Sequence, residues 1–172
     1  MRDGQQSLWG MRMQAGMALP VAPTVDRTGY RTIDLTGSSM FECLIKYCYE
    51  DPWEGLDLLV AAMPRTRIRA GMRSNASVTF GVTPDSLMDA WMRQLNEHGC
   101  RSYWIYDVLF NNDKTKRLAK LAKEYDSEIA GAIMFTLSPV HTDEYYAKQA
   151  DELSESDDID TILLYDTAGV LE

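Results

Sequence analysis

Residues 102–136 read SYWIYDVLFNNDKTKRLAKLAKEYDSEIAGAIMFT. Ser102 to Val108 is rich in aromatic and branched residues and reads as a strand. Lys114 to Tyr125 places Leu118, Leu121, Ala122 and Tyr125 at helical spacing, opposite a face of lysines and an arginine. Ile129 to Thr136 is apolar again and has the length of a strand. A strand, an amphipathic helix and a second strand joined by short connections imply parallel pairing, because parallel neighbours need a crossover between them.

The same alternation extends outward in both directions. Upstream, Tyr30 to Leu35 and Arg67 to Met72 read as strands, the second weakened by its arginines. Between them lie a helical stretch from Met40 to Tyr49 and a second helix opened by Pro52-Trp53, with Leu56, Leu59 and Val60 on one face. Thr83-Pro84-Asp85 predicts a helix start, capped by the threonine hydroxyl, with Leu87, Trp91 and Leu95 inward and a stop at His98-Gly99. Near the N-terminus a helix is expected over Met11 to Thr28, kinked or split by Pro20 and Pro23 and closed by Gly29. Downstream, a helix from Thr142 to Ser154 leads into Thr161 to Tyr165, which reads as a buried strand.

Strand starts near Ile33, Ile68, Tyr103, Ile129 and Ile162 recur at about 30 residues, the length of one strand–helix unit. Neither GxGxxG nor a P-loop is present, so a barrel is favoured over a nucleotide-binding open sheet. The expected fold is therefore α/β, a single domain over 1–172 forming a partial (β/α)8 TIM barrel. It would run from the stump of a first strand before Arg2 to a sixth strand, with the C-terminal strand–helix units missing after Glu172.

Composition narrows the function classes. Apolar residues make up 45% and charged residues 25% of the 172, the balance of a soluble globular chain. A net charge of −9 with no basic stripe excludes nucleic acid as the partner. No apolar run approaches the roughly 20 residues that span a bilayer, so direct membrane insertion is not expected. Cys43, Cys48 and Cys100 are odd in number and form no CxxC pair, which fits reduced thiols in the cytoplasm.

Arg2-Asp3-Gly4-Gln5-Gln6-Ser7 holds an arginine, an acid and an amide close together, expected at the exit of a strand. Such a set can gather a cation, an anion receptor and a hydrogen-bond donor at one point, or it can be a polar N-terminal arm. Arg73 ends a strand but sits among Arg65, Arg67 and Arg69, which leaves a solvated basic edge as the other reading. Asp107 and Asp166 stand at strand ends, where a barrel carries its site residues. Each could support the site from behind or cap the next turn. His141 follows Pro139 at a helix start and reads as a capping and packing residue. The methionines read as packing residues, and the acidic run Glu155 to Asp160 as a solvated loop.

The ordered segments RDGQQSL, GSSMFECLIKYCYEDPWEGL, IRAGMRSN, SYWIYDVLFNND, FTLSPVHTDEYY and LLYDTAGVL resemble the carboxyltransferase domain shared by pyruvate carboxylase, the oxaloacetate decarboxylase alpha subunit and transcarboxylase. EDPWE and SPVHTDEYY are the specific pieces; RDG and DTAG also resemble isopropylmalate synthases and hydroxymethylglutaryl-CoA lyases. The resemblance implies a barrel that moves a carboxyl group between biotin and a small 2-oxo acid, pyruvate or oxaloacetate, through a metal-stabilised enolate. It implies Asp3 as a ligand of a divalent metal (zinc, manganese or cobalt), and Arg2, Gln6 and Arg73 as holders of the keto acid and its enolate. The implied partners are a 2-oxo acid and a biotinylated carrier domain or subunit, with a homo-oligomer compatible with both.

Two positions depart from the family pattern. Phe80 stands where a tyrosine is expected, and Tyr165 stands where a carbamylated lysine would ligate the metal. The family's paired histidines would lie past Glu172, and His98 and His141 lack their spacing. Tight metal binding by these residues alone, and activity of the isolated chain, are therefore not expected. The alternatives are a metal-dependent lyase, aldolase or Claisen-type synthase of the same superfamily, or a diverged barrel without catalysis.

Overall fold

The computed structural model describes residues 1–79 and 81–171. Phe80 and Glu172 lie outside the described residues, and with Phe80 the expectation attached to it. Five strands, β1 (Thr32–Gly37), β2 (Arg67–Arg73), β3 (Cys100–Tyr106), β4 (Glu128–Met134) and β5 (Thr161–Tyr165), pair in parallel in the order of the chain. Sequential order with a helix between each pair of successive strands is a barrel arc; a doubly wound nucleotide-binding sheet reverses direction part-way across. Register shifts between Asp34 and Thr36 and between Ile68 and Arg69 bend the pairing of the first three strands.

The helices are α1 (Arg2–Trp9), α2 (Ala15–Ala18), α3 (Ala22–Asp26), α4 (Ser38–Cys43), α5 (Pro52–Ala62), α6 (Asp85–Glu97), α7 (Asn112–Lys123) and α8 (Asp143–Ser154). A single π-turn, Leu44–Cys48, continues α4. Local chemistry sets several of the starts. Asp51 accepts from the Trp53 amide at 2.9 Å with Pro52 in the first turn. Asn111 and Thr142 cap α7 and α8 in the same way, at 3.3 Å each.

The two faces of the sheet differ in chemistry because successive side chains alternate. Ile68, Ala70, Met72, Tyr103, Ile105 and Ile129 face the helices and join Leu56, Trp91, Leu95 and Leu118 in one buried core. Burying each large side chain of this kind contributes about 1.5–3 kcal/mol. Trp104, Ala130 and Ala132 belong to a separate cluster on the other face, with Tyr106, Leu163 and Tyr165 packed against it. The arginines that interrupt β2 follow the same alternation. At the N-terminal end of the sheet, Glu128 takes Arg67 at 2.7 Å, Arg31 at 3.3 Å and Arg69 at 3.6 Å. The basic edge is therefore an ion-pair ladder, and Arg73 lies at the opposite end of β2 from it.

Several expectations are corrected. No strand precedes Arg2 among the described residues: residues 2–9 are helical, closed by Gly10 in the left-handed conformation at φ 55°. The Met11–Thr28 helix is two short ones, with Pro23 in the first turn of the second. Thr83 does not cap α6; its hydroxyl accepts from the Ser77 amide at 3.1 Å, and Pro84 takes the cap position. Within α6 the core side is Met88, Trp91, Met92 and Leu95, and Leu87 is 52% exposed. β5 is an outer strand with one neighbour, so it is not buried, and Leu164 is 44% exposed.

Candidate anion-binding cleft at the strand ends

Gly37, Arg73, Tyr106, Met134 and Tyr165 are the last residues of β1 to β5, and all five line one cleft of about 120 Å3. Arg2 and Gln6 close it from α1, and Ser38, Ser39 and Met40 from the start of α4. Strand ends on one side of a parallel sheet converge, and the loops that follow them are free to vary, so barrel sites form there.

Arg2 is the most constrained side chain in the cleft. It is buried, and its Nε and one terminal nitrogen both reach Asp34 Oδ2 at 2.9 Å. Its other terminal nitrogen donates to the Gln6 side-chain carbonyl. The guanidinium lies over the Trp104 ring, 5.2 Å from the centroid. Burial works against its charge, but Asp34 and the Tyr165 phenol outweigh that and raise its pKa further. Burial dominates for Asp34 and pushes its carboxyl above the usual range despite Arg2. The Oδ1 of Asp34 is buried with no hydrogen-bond partner among the described residues, which accounts for that direction.

Trp104 joins the two arginines. Its indole N–H donates to Asp34 Oδ2 at 3.0 Å, and its ring stacks on Tyr106 at 4.8 Å and 12°. The Tyr106 hydroxyl in turn accepts from Arg73 Nε at 3.2 Å. Tyr165 leans on the same indole at 4.8 Å. A Cβ on Gly71 would meet the Trp104 ring at 2.8 Å, so glycine is what lets the indole lie flat across β2.

The residues singled out in the sequence divide into two groups. Arg2, Gln6 and Arg73 come together in the cleft. Asp3, one residue along α1, is exposed and is not among the lining residues. Asp107 is buried behind the cleft, where it accepts from the Ser74 hydroxyl and from the Leu109 amide at 2.7 Å. It thereby fixes the residue after Arg73 and the turn after β3. Asp166 turns away from the cleft and accepts from the amides of Leu171 at 2.8 Å, Gly169 at 2.9 Å and Ala168 at 3.1 Å. Those amides, Leu171 first, hold its carboxyl below the usual range. It folds the loop that brings Thr167 to the rim. His141 pairs with Ser138 at 2.7 Å and packs against Phe110, Tyr145 and Tyr146, outside the cleft lining.

The residues present do not fit a divalent metal. Among the described residues no carboxylate, imidazole or thiol lines the cleft, and no three acids, histidines or cysteines stand close enough to hold an ion. No helix among the described residues is long and apolar enough to cross a membrane.

No family model matches the chain. A pyruvate carboxylase subunit of Methanocaldococcus jannaschii is 34% identical over 170 residues, which is 99% of this chain and 30% of that protein. The methylmalonyl-CoA carboxyltransferase 5S subunit of Propionibacterium freudenreichii subsp. shermanii is 27% identical over all of this chain and 34% of its own length. The carboxyl transferase domain of Rhizobium etli pyruvate carboxylase, solved with 3-bromopyruvate, superimposes with a TM-score of 0.94 at 25% identity. That match covers 100% of this chain and 30% of the other. The chain thus spans about a third of the length of the curated relatives it matches. In sequence along its whole length and in fold, it is a relative of the carboxyltransferase domain of pyruvate carboxylase and transcarboxylase.

Proposed function

We propose that this chain supplies the 2-oxo-acid site of a biotin-dependent carboxyltransferase. The observation that carries the reading is the convergence of all five strand ends, with Arg2 and Arg73, on one small cleft whose described lining holds no negative group. A three-carbon keto acid brings a carboxylate and a ketone oxygen. Arg73 can take the carboxylate through a paired, charge-assisted contact. Arg2, held still by Asp34, Gln6 and Trp104, places fixed positive charge where the ketone oxygen becomes an enolate.

Carboxybiotin on its carrier would supply the carboxyl group. Arg73 would hold the carboxylate of pyruvate while the methyl carbon gives up a proton, and Arg2 would stabilise the enolate oxygen that develops. The new C–C bond would form as the C–N bond to the carboxyl group breaks, with the proton passing to the carrier nitrogen, so that oxaloacetate and decarboxylated carrier are left. Biotin would arrive on a carrier domain or subunit outside these 172 residues, among which no lysine is flanked by methionines. The unpaired thiols of Cys43, Cys48 and Cys100 accord with a cytoplasmic setting.

Isotope exchange tests the reading. The holoenzyme containing this chain, with its biotinylated carrier, is expected to move carbon label from oxaloacetate into pyruvate only when the carrier bears biotin. Exchange that is absent, or that proceeds equally with unbiotinylated carrier, would contradict it.

A further inference from the structure

Resting on that reading, we propose that the cleft binds the 2-oxo acid without a divalent cation, with the Tyr165 hydroxyl acting as the donor that replaces one. The donor set is wrong for an ion and right for an anion. Among the described residues the lining contributes two guanidiniums, two phenols, serine and threonine hydroxyls and an amide, and no anionic ligand. A cation placed there would stand beside Arg2 and Arg73 with neutral oxygens alone to neutralise it, so desolvation and repulsion would act together. Asp34 is not among the lining residues: its Oδ2 accepts from Arg2 and from the Trp104 indole, and its Oδ1 is buried away from solvent.

Tyr165 occupies the position where the family resemblance places the metal-ligating lysine. Its ring is held against Trp104, and it lines the cleft together with Arg2. A phenol can accept from a guanidinium and still keep its own proton as a donor. Turned into the cleft, such an O–H would reach the kind of oxygen that a metal would otherwise polarise. Tyr106 extends the same logic on the other side, since its oxygen accepts from Arg73 Nε. The keto acid would therefore be received by Arg73 and Tyr106 at one end and by Arg2 and Tyr165 at the other. Trp104 serves as the platform that spaces the two pairs.

The test is calorimetric titration of the purified chain with oxamate, an isostere of pyruvate, first in excess EDTA and then with added zinc or manganese. The expected result is the same affinity in both conditions. Tyr165→Phe, which keeps the ring on Trp104 and removes the hydroxyl, should weaken it about tenfold. Circular dichroism and melting of the variant verify that it folds, and Tyr165→Lys provides a second, independent variant, expected to lose the metal-free binding. Oxamate binding that appears only with the metal would overturn this inference and leave the carboxyltransferase reading standing. Metal-free affinity unchanged in Tyr165→Phe would overturn the role of the hydroxyl. No oxamate binding in either condition would remove both readings.

Discussion

Replacing Arg73 with alanine is expected to lower carboxyl exchange in the holoenzyme by roughly 30- to 1,000-fold. That range corresponds to about 2–4 kcal/mol of lost transition-state stabilisation when a charged hydrogen-bonding contact is deleted. Folding should be little affected. Arg73 is the last residue of β2, at the open end of the sheet, and it belongs to neither buried cluster. Its Nε contact to the Tyr106 hydroxyl is a hydrogen bond to a neutral group, with a net value of about 1 kcal/mol. The melting temperature should therefore move by a few degrees at most. Arg73→Lys should restore only part of the rate, because a point charge lacks the planar fork that engages a carboxylate twice. Exchange kinetics and thermal melts of the two variants check this together. Unchanged exchange in the alanine variant, or loss of rate in step with loss of fold, would remove Arg73 from the site.

The largest effect on stability is expected at Phe41. This ring is 2% exposed and meets Trp53 edge-on at 4.6 Å and Trp91 at 4.5 Å, joining α4, α5 and α6 on the helix side of the sheet. Phe41→Ala removes both aromatic contacts and leaves a cavity that two rigid indoles cannot fill. A loss of about 3–5 kcal/mol follows. For a chain of this size that lowers the melting temperature by on the order of 10 °C. Phe41→Leu should recover most of the loss. Because Phe41 sits in α4 directly after Ser38, Ser39 and Met40, the alanine variant should also weaken ligand binding in the cleft. Denaturant titration of the two variants, with a smaller shift for leucine, is the check.

Much of the architecture was legible because its signals are local. Residues 102–136 form β3, α7 and β4 within a few residues of the expected bounds, since apolar strands flank a helix with a clean polar face. The helix over Arg2–Trp9 was not legible: its Leu8 and Trp9 are 82% and 54% exposed, so no inward apolar stripe marks it. Thr83 looked like a cap because a hydroxyl before Pro-Asp normally is one, and only the tertiary fold brings it the Ser77 amide.

The cleft was legible at its charged residues. Arg2, Gln6 and Arg73, singled out by the family resemblance, meet there. Asp3 could not be separated from Arg2 by type alone; one helical step turns it to the outside. Asp34, Trp104 and Tyr106 were missed for a different reason. Strands covered on both faces show little polar–apolar alternation, so the inner positions of β1 and β3 do not announce themselves. The available signal was Asp34 itself, an acid between Ile33 and Leu35 in an apolar run, whose charge needed a buried partner.

The most direct test of the account is a crystal structure of the protein with oxamate bound. The account predicts oxamate within the cleft at the strand ends, its carboxylate in hydrogen-bonding contact with the Arg73 guanidinium and its amide carbonyl oxygen facing Arg2 and Tyr165. Oxamate found instead beside Asp3 on the outer side of α1, or bound anywhere without contact to Arg2 or Arg73, would contradict it.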